Sequence, residues 1–301
     1  MPHLIVLLGW RRPNRYFKKP LLCPHITLSF FKSGTKPWTR MLLYGPPGTG
    51  KTRLAKALAN ELKCTFFCVS PASLLSCLIG ESEKLIRDLF KTARNESGQS
   101  VIFFDEIDSL CRRRTQNEDE HTRRVKTELL RQIEGIENSG DSKVFLLGAT
   151  NCPWDLDNAF LRRFQRRIYT PLPDRESRQA IISHHLNSLE LTESEWSQLL
   201  DATDGYSGAD ISHMTMAASF QPIRELHTNR FWTFTSNNKI MPCSSDTLGA
   251  MQYTFSSLPP AQVMSRSVKL SDFITAAKST PRTVSQEMLF KYEEYHQAPY
   301  Q

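Results

Sequence analysis

The segment from Gly45 to Thr52 reads Gly-Pro-Pro-Gly-Thr-Gly-Lys-Thr, a composition suited to binding phosphate. Glycines leave backbone N–H groups free to surround phosphate oxygens, and the positive end of a following helix adds to the attraction. In the pattern G-x-x-x-x-G-K-[ST], Lys51 would reach the β- and γ-phosphates of ATP and Thr52 would ligate Mg²⁺. The predicted nucleotide contacts are Gly45, Pro46, Pro47, Gly48, Thr49, Gly50, Lys51 and Thr52.

Two carboxylates follow an apolar run and could serve the same reaction. The run at 101–104 leads directly into Asp105 and Glu106. Because the carboxyl ends of parallel strands meet at one edge of a sheet, we expect both side chains to lie beside the phosphates. Asp105 would bind Mg²⁺ through its water shell, as a metal and cofactor residue. Glu106 would orient and polarise the attacking water as a catalytic residue.

An asparagine ends another apolar run and adds a further polar group. Asn151 follows Gly148-Ala-Thr150, and its side chain can hydrogen-bond the γ-phosphate or the attacking water. Elsewhere an asparagine at a strand end is a turn residue. The catalytic role of Asn151 therefore depends on the two motifs described above.

The elements that must position these residues alternate between apolar runs and helical patterns. Strands are predicted at 41–44, 65–69, 101–104, 144–147 and 167–169, and helices at 51–62, 81–94 and 121–136. Short buried strands separated by helices imply an α/β fold with a doubly wound parallel sheet of the P-loop type. The first large domain is therefore placed at 41–170.

Helical patterns dominate the remainder of the chain. They occur at 175–189, 193–203, 209–226, 270–277 and 285–295. The stretch at about 228–266 is rich in Ser, Thr, Pro and aromatic residues and has little helical period, so we interpret it as a β-type insertion. A small helical lid domain is therefore predicted at 171–301.

The amino-acid composition limits which cellular environments and which classes of partner are expected. The chain has 301 residues, and its apolar run at 4–8 is far shorter than the roughly 20 residues of a membrane span. Seven cysteines without paired C-x-x-C spacing indicate neither a disulfide framework nor a zinc site, which favours the cytoplasm. A net charge of +7 fits either an acidic partner or a solvated basic surface. We predict no nucleic-acid partner and no transmembrane segment.

Together these residues resemble the AAA family of ATPases. The segment Leu161-Arg162-Arg163-Phe164 is similar to the arginine-finger segment of that family. There, the arginines reach the γ-phosphate bound by the neighbouring subunit. The resemblance therefore implies that Arg162 and Arg163 are catalytic within an oligomer, either a hexameric ring of identical copies or a mixed ring with a relative.

The resemblance extends to the branch that holds katanin, spastin and the ESCRT-III-disassembling ATPase of vacuolar protein sorting. Members of this branch pull a protein tail through a central pore. The stretches that carry the likeness are 80–84, 105–111, 123–124, 151–154 and 205–210. Residues 221–224 and 242–255 resemble the vacuolar-sorting enzyme, whereas 161–163 and 174–179 are nearer to a katanin-like paralogue.

Three functions follow from this resemblance. The first is disassembly of ESCRT-III-type filaments, with endosomal association through partners at the membrane. The second is katanin-like microtubule severing with cytoskeletal association, for which a basic loop at 112–114 would suit acidic tubulin tails. The third is a nucleotide-binding partner subunit that joins rings without threading substrate.

Departures from the family pattern support the third function. The residues before Gly80 are Ser76-Cys-Leu78-Ile79, with Leu78 standing where the family's pore loop carries an aromatic residue. Nothing before Pro20 resembles the strand and turn that cover adenine, and residues 1–19 look unrelated to the family. A divergent N-terminal segment is therefore placed at 1–40, and we expect a truncated or divergent paralogue.

Overall fold

The computed structural model describes residues 38–71, 74, 80–112, 119–138, 143–186, 191–235, 239–259 and 262–297. The predictions for the N-terminal segment up to residue 37, for Leu78 and its neighbours, and for 113–114 lie outside these residues. The chain divides into two compact units, Met1–Leu172 with Val284–Gln301, and Pro173–Thr283. Each unit has its own hydrophobic core.

A parallel sheet of five strands forms the centre of the first unit. The strands are β1 (Arg40–Tyr44), β2 (Thr65–Val69), β3 (Ser100–Phe104), β4 (Val144–Thr150) and β5 (Arg166–Tyr169). Their spatial order is β2-β3-β4-β1-β5, and every pair is parallel. This arrangement confirms the predicted doubly wound α/β fold.

Helices cover both faces of this sheet. They are α1 (Lys51–Leu62), α2 (Glu81–Asn95), α3 (Asp108–Cys111), α4 (Glu120–Asn138) and α5 (Asn158–Arg163). Successive strand residues alternate between faces: Leu42 packs with the core that contains α2 and α4, whereas Leu43 packs with α1. Because both faces are covered, β1, β3 and β4 are buried along their whole length.

The second unit is helical with a small antiparallel sheet. Its helices are α6 (Arg175–His185), α7 (Glu193–Ala202), α8 (Gly208–Thr228) and α9 (Leu270–Ser279). The strands β6 (Phe231–Phe234), β7 (Ile240–Pro242) and β8 (Met251–Gln252) pair in the order β7-β6-β8 around the buried Trp232. The predicted β-type insertion is therefore confirmed. Among the described helices, none is long and apolar enough to cross a membrane.

The last helix, α10 (Gln286–Gln297), belongs to the first unit. Here the structure differs from the sequence prediction, which extended the small helical domain to residue 301. The reason is aromatic packing: Tyr292 is fully buried beside Trp154 and Tyr169, and Tyr295 contacts Tyr44. A helical period in the sequence specifies which face of α10 is apolar, but not which unit that face covers.

Candidate nucleotide-binding and catalytic site

The glycine loop joins the end of β1 to the start of α1. Gly45, Gly48 and Gly50 have φ of 151°, 74° and 85°, a region that residues with a side chain rarely adopt. A second constraint also requires glycine at position 45, because a Cβ atom there would lie 2.2 Å from the carbonyl oxygen of Thr170. Thr49 donates its hydroxyl hydrogen bond to the Pro46 carbonyl at 2.9 Å. The glycines therefore allow the tight path of a loop whose N–H groups can approach a phosphate closely.

Lys51 directs its ammonium group back into this loop. Its Nζ donates hydrogen bonds of 2.8 Å to the carbonyl oxygens of Gly45 and Pro46. Burial lowers the pKa of Lys51 to about 8, and the nearby carboxylates of Asp105 and Asp108 offset only part of that effect. A phosphate bound in the loop would supply negative charge beside this ammonium group and would favour its protonated form.

Thr52 and Asp105 bring the loop and the carboxylate motif together. The Thr52 hydroxyl donates a 2.6 Å hydrogen bond to Oδ2 of Asp105, across a separation of 53 residues in the chain. Thr52 lies in the first turn of α1, and Asp105 directly follows β3. Hydroxyl, carboxylate and phosphate oxygens are ligands that Mg²⁺ prefers, and Mg²⁺ commonly binds through one or two protein oxygens. The donor set at Thr52 and Asp105 therefore fits Mg²⁺ bound together with a nucleotide.

Glu106 lies next to this pair in an uncommon backbone conformation. Its φ is 49°, in the left-handed region, and its N–H donates to Oδ1 of Asp105 at 3.1 Å. The Glu106 carbonyl accepts a hydrogen bond from the Ser109 hydroxyl at 2.9 Å. Such a conformation costs on the order of 1 kcal/mol and persists because surrounding contacts impose it. The Glu106 side chain is exposed and is therefore accessible to water.

Asn151 follows β4, which pairs with β1 on one side and β3 on the other. It therefore emerges between the strand that leads to the loop and the strand that leads to Asp105. The preceding Thr150 donates a 2.6 Å hydrogen bond to the carboxylate of Asp108. The backbone carbonyl of Asn151 accepts a hydrogen bond from the hydroxyl of Tyr292. Both residues of this strand end are thus tied to neighbouring elements.

Arg162 and Arg163 end the short helix α5, which begins with a hydrogen bond of 2.8 Å from the Ala159 N–H to Asp157. Arg162 is exposed, and Arg163 forms an ion pair with Glu134 of α4. In the part of the chain that the structure describes, no hydrogen bond or ion pair joins either arginine to the glycine loop or to Asp105. The structure therefore gathers the loop, Asp105, Glu106 and Asn151 at one sheet edge and leaves the two arginines apart from them.

Three contacting residues were not identified from the sequence. Asp108 was visible as the last acid of Asp105-Glu-Ile-Asp108, and its spacing could have suggested a contact with a neighbouring strand end. Glu134 and Tyr292 have no local signal, because each meets its partner through the fold. Their partners, Arg163 and Asn151, lie 29 and 141 residues away along the chain.

Two regions of the chain match known families. Residues 41–172 match the ATPase family associated with various cellular activities (AAA), and residues 240–298 match the Vps4 C terminal oligomerisation domain. The second match includes the antiparallel strands β7 and β8, helix α9 and helix α10. The two matches thus cover most of the first unit and the C-terminal part of the chain.

Individual relatives are similar over nearly the whole chain. Vacuolar protein sorting-associated protein 4B of Mus musculus is 41% identical over 290 residues, which cover 92% of this chain and 64% of the relative. Protein SUPPRESSOR OF K(+) TRANSPORT GROWTH DEFECT 1 of Arabidopsis thaliana is 42% identical over 296 residues, which cover 96% and 68%. The chain thus spans about two thirds of the length of these relatives.

Solved structures share the fold as well as the sequence. The crystal structure of the FIGL-1 AAA domain in complex with ADP superposes with a TM-score of 0.76 at 34% identity. The match covers 96% of this chain and 88% of that domain. The likeness therefore extends through both units.

Proposed function

Since the chain belongs to the AAA family of ATPases, we propose that it binds ATP with Mg²⁺ and hydrolyses it at the sheet edge described above. The observation that carries the proposal is the 2.6 Å hydrogen bond between Thr52 and Asp105, which joins the phosphate loop to the carboxylate motif. The similar FIGL-1 domain was crystallised with ADP, which supports a nucleotide as the ligand.

Different residues of this chain would have different roles in ATP hydrolysis. Backbone N–H groups of the loop at 45–52 and the Lys51 ammonium would bind the phosphates, while Thr52 and Asp105 would hold Mg²⁺. The metal ion, when bound, supplies positive charge against the phosphate oxygens. Glu106 would accept a proton from the attacking water, and the Asn151 side chain would orient that water.

A ring completes the site in this proposal. Exposed Arg162 and neighbouring Arg163 would contact the γ-phosphate bound by the next subunit, where a guanidinium group suits the spread charge of the transition state. The match of residues 240–298 to an oligomerisation domain supports self-assembly. We propose a hexamer of identical copies, with a mixed ring that includes a relative as the alternative.

The substrate proposed for the ring is a protein tail of the ESCRT-III type. It is supported by the relative of Mus musculus, which is named for vacuolar protein sorting, and by the oligomerisation domain that accompanies it. A protein that disassembles ESCRT-III-type filaments would act in the cytoplasm and, through partners, at endosomes.

A comparison of peptide tails tests this proposal. Phosphate release by the purified protein is measured alone, with C-terminal peptides of ESCRT-III proteins, and with acidic C-terminal peptides of tubulin. Stimulation by the ESCRT-III peptides supports filament disassembly, whereas stimulation by tubulin peptides alone would identify a severing enzyme. Turnover that neither peptide changes, with co-assembly into rings of a relative, would identify a non-threading partner subunit.

A further inference from the structure

Helix α10 contacts the ends of three adjacent strands of the first unit. Tyr292 packs against Trp154, which lies beyond the end of β4, with ring centroids 5.0 Å apart. It also packs against Tyr169, the last residue of β5, at 5.8 Å. Between these two strands lies β1, whose last residue, Tyr44, packs against Tyr295 of α10 at 5.4 Å. The helix therefore spans the strand ends that carry the phosphate loop and Asn151.

Tyr292 makes the contact nearest to the proposed chemistry. Its side chain is fully buried, and its hydroxyl donates a hydrogen bond to the backbone carbonyl of Asn151. Burial raises the pKa of Tyr292 well above its ordinary value, so its phenol stays protonated and remains a donor over the working pH range. Two ring contacts fix the plane of the phenol. The acceptor is thus held by a rigid donor.

The neighbouring strand end is held by the same helix. The Tyr44 hydroxyl lies 3.0 Å from Nδ1 of His296, and the Tyr44 ring packs on Tyr169 with centroids 5.4 Å apart. Tyr44 pairs with Thr150 in the sheet register and directly precedes Gly45. Contacts from α10 therefore fix the residue before the phosphate loop and the residue that carries the predicted water-orienting side chain.

We propose that Tyr292 is a positioning residue for ATP hydrolysis and acts through Asn151. The inference rests on the function proposed above. A hydrogen bond to the Asn151 carbonyl limits rotation about the Cα–C bond of that residue, and so limits how its Cα and side chain can shift. Chemistry that needs aligned groups is sensitive to small displacements, since misplacement by about 1 Å can cost on the order of 10² in rate.

The first test is the variant Tyr292→Phe, which keeps the ring and removes the donor. We expect kcat for phosphate release to fall about tenfold while KM for ATP stays within about twofold, because the loop and Lys51 are unchanged. Tyr295→Phe is the control: it keeps the ring that packs on Tyr44 and removes only a hydroxyl, which has no recorded hydrogen bond to Asn151, so it should keep the wild-type kcat. A wild-type kcat for Tyr292→Phe would overturn the proposal.

The double variant with Asn151→Ala separates positioning from general stability. Alanine keeps the backbone carbonyl that accepts the hydrogen bond but removes the side chain that Tyr292 is proposed to position. In that background, adding Tyr292→Phe should change kcat by less than about twofold, so the two effects are strongly non-additive. A further tenfold loss in the Asn151→Ala background would show that Tyr292 acts independently of Asn151 and would overturn the inference.

A measurement without nucleotide keeps this inference distinct from the proposed function. Hydrogen–deuterium exchange of the backbone amides at 151–152 and 154–156 should be faster in Tyr292→Phe than in the wild type, and unchanged in Tyr295→Phe. Unchanged exchange in both variants would refute the positioning contact. Absence of phosphate release by the wild type would refute the proposed function instead.

Discussion

The hydroxyl of Thr52 donates a 2.6 Å hydrogen bond to the carboxylate of Asp105. Thr52 opens α1 directly after the glycine loop, whereas Asp105 follows β3, which is two strands away from β1 in the sheet. The hydrogen bond therefore exists only because parallel strands deliver their carboxyl ends to one edge. The Thr52 hydroxyl and the Asp105 carboxylate lie next to the phosphate-binding loop. They form the part of the site where the nucleotide and Mg²⁺ would meet.

Replacement of Lys51 by methionine should markedly weaken ATP binding. Methionine keeps the length and much of the apolar contact of the side chain but removes the ammonium group that points into the loop. Hydrogen bonds from a charged group contribute about 1.5–3 kcal/mol, so affinity should fall at least about tenfold. Titration with a fluorescent ATP analogue measures the loss. Lys56→Met changes an exposed lysine of the same helix and should leave the affinity unchanged.

ATP affinity should decline as the pH rises above about 8. Burial lowers the pKa of Lys51 to about 8 in the nucleotide-free protein, so its ammonium form is lost progressively above that pH. Bound phosphate favours the charged form, and binding must therefore take up a proton at high pH. Calorimetric titrations at pH 7 and pH 9 in buffers of different ionisation enthalpy should show weaker binding and greater proton uptake at pH 9. Equal proton uptake at both pH values would contradict the assignment.

Gly45→Ala should destabilise the first unit and weaken nucleotide binding. The new Cβ would lie 2.2 Å from the Thr170 carbonyl oxygen, and φ of 151° disfavours any side chain. Strain and backbone displacement should lower the free energy of unfolding by about 2–3 kcal/mol. Gly98→Ala is the matched control, since its Cβ would meet nothing within 4 Å. Urea denaturation of both variants measures the difference, and equal midpoints would show that the Gly45 constraint is unimportant.

Two inactive variants should regain activity when mixed, if neighbouring subunits share each site. Arg162→Ala keeps the loop and Glu106 but lacks the exposed guanidinium group, and it should lose on the order of 10³ in turnover. Glu106→Gln keeps its arginines but lacks the catalytic carboxylate. In a mixed ring, a Glu106→Gln subunit can supply arginines to the intact site of its neighbour. Phosphate release above the sum of the separate variants is therefore expected at equimolar mixing, and simple additivity would place Arg162 outside the site.

Weakening the ion pair between Arg163 and Glu134 should have only a small effect on stability. Glu134 holds Arg163 within its own subunit, so Glu134→Gln should weaken that pair without removing the guanidinium group. Since both side chains are partly exposed, the change in stability should stay below about 1 kcal/mol. Thermal unfolding and phosphate release of Glu134→Gln and Arg163→Ala can be compared. Comparable loss of turnover in both variants would mean that Arg163 needs Glu134 for its position.

The parts of the site that were predictable from sequence are those with local rules. The glycine loop, Lys51, Thr52 and the carboxylate pair occur at fixed spacing around strands and helices that their own periodicity reveals. Parallel strands then imply one shared edge, which is why Asp105 could be placed beside Thr52 in advance. The small antiparallel sheet was also predictable, because its segment lacks helical period.

Long-range packing explains what the sequence did not reveal. Helix α10 has an ordinary helical pattern, and residues 285–295 alone do not predict that Tyr292 covers the end of β4. Its return to the first unit depends on aromatic contacts with Trp154 and Tyr169, which lie more than 100 residues earlier in the chain. The positive φ of Glu106 was equally hidden, since glutamate carries no local preference for that conformation.

The most direct test of the proposed site compares the wild type with Glu106→Gln. Both phosphate release and ATP affinity are measured for each protein. The wild type should release phosphate continuously in the presence of Mg²⁺. Glu106→Gln should bind ATP with nearly the wild-type affinity, since the loop and Asp105 are unchanged, yet release phosphate at least about 10²-fold more slowly because the proton acceptor is gone. Wild-type turnover in Glu106→Gln would contradict the catalytic role assigned to this carboxylate. No turnover in the wild type under any assembly condition would contradict ATP hydrolysis itself.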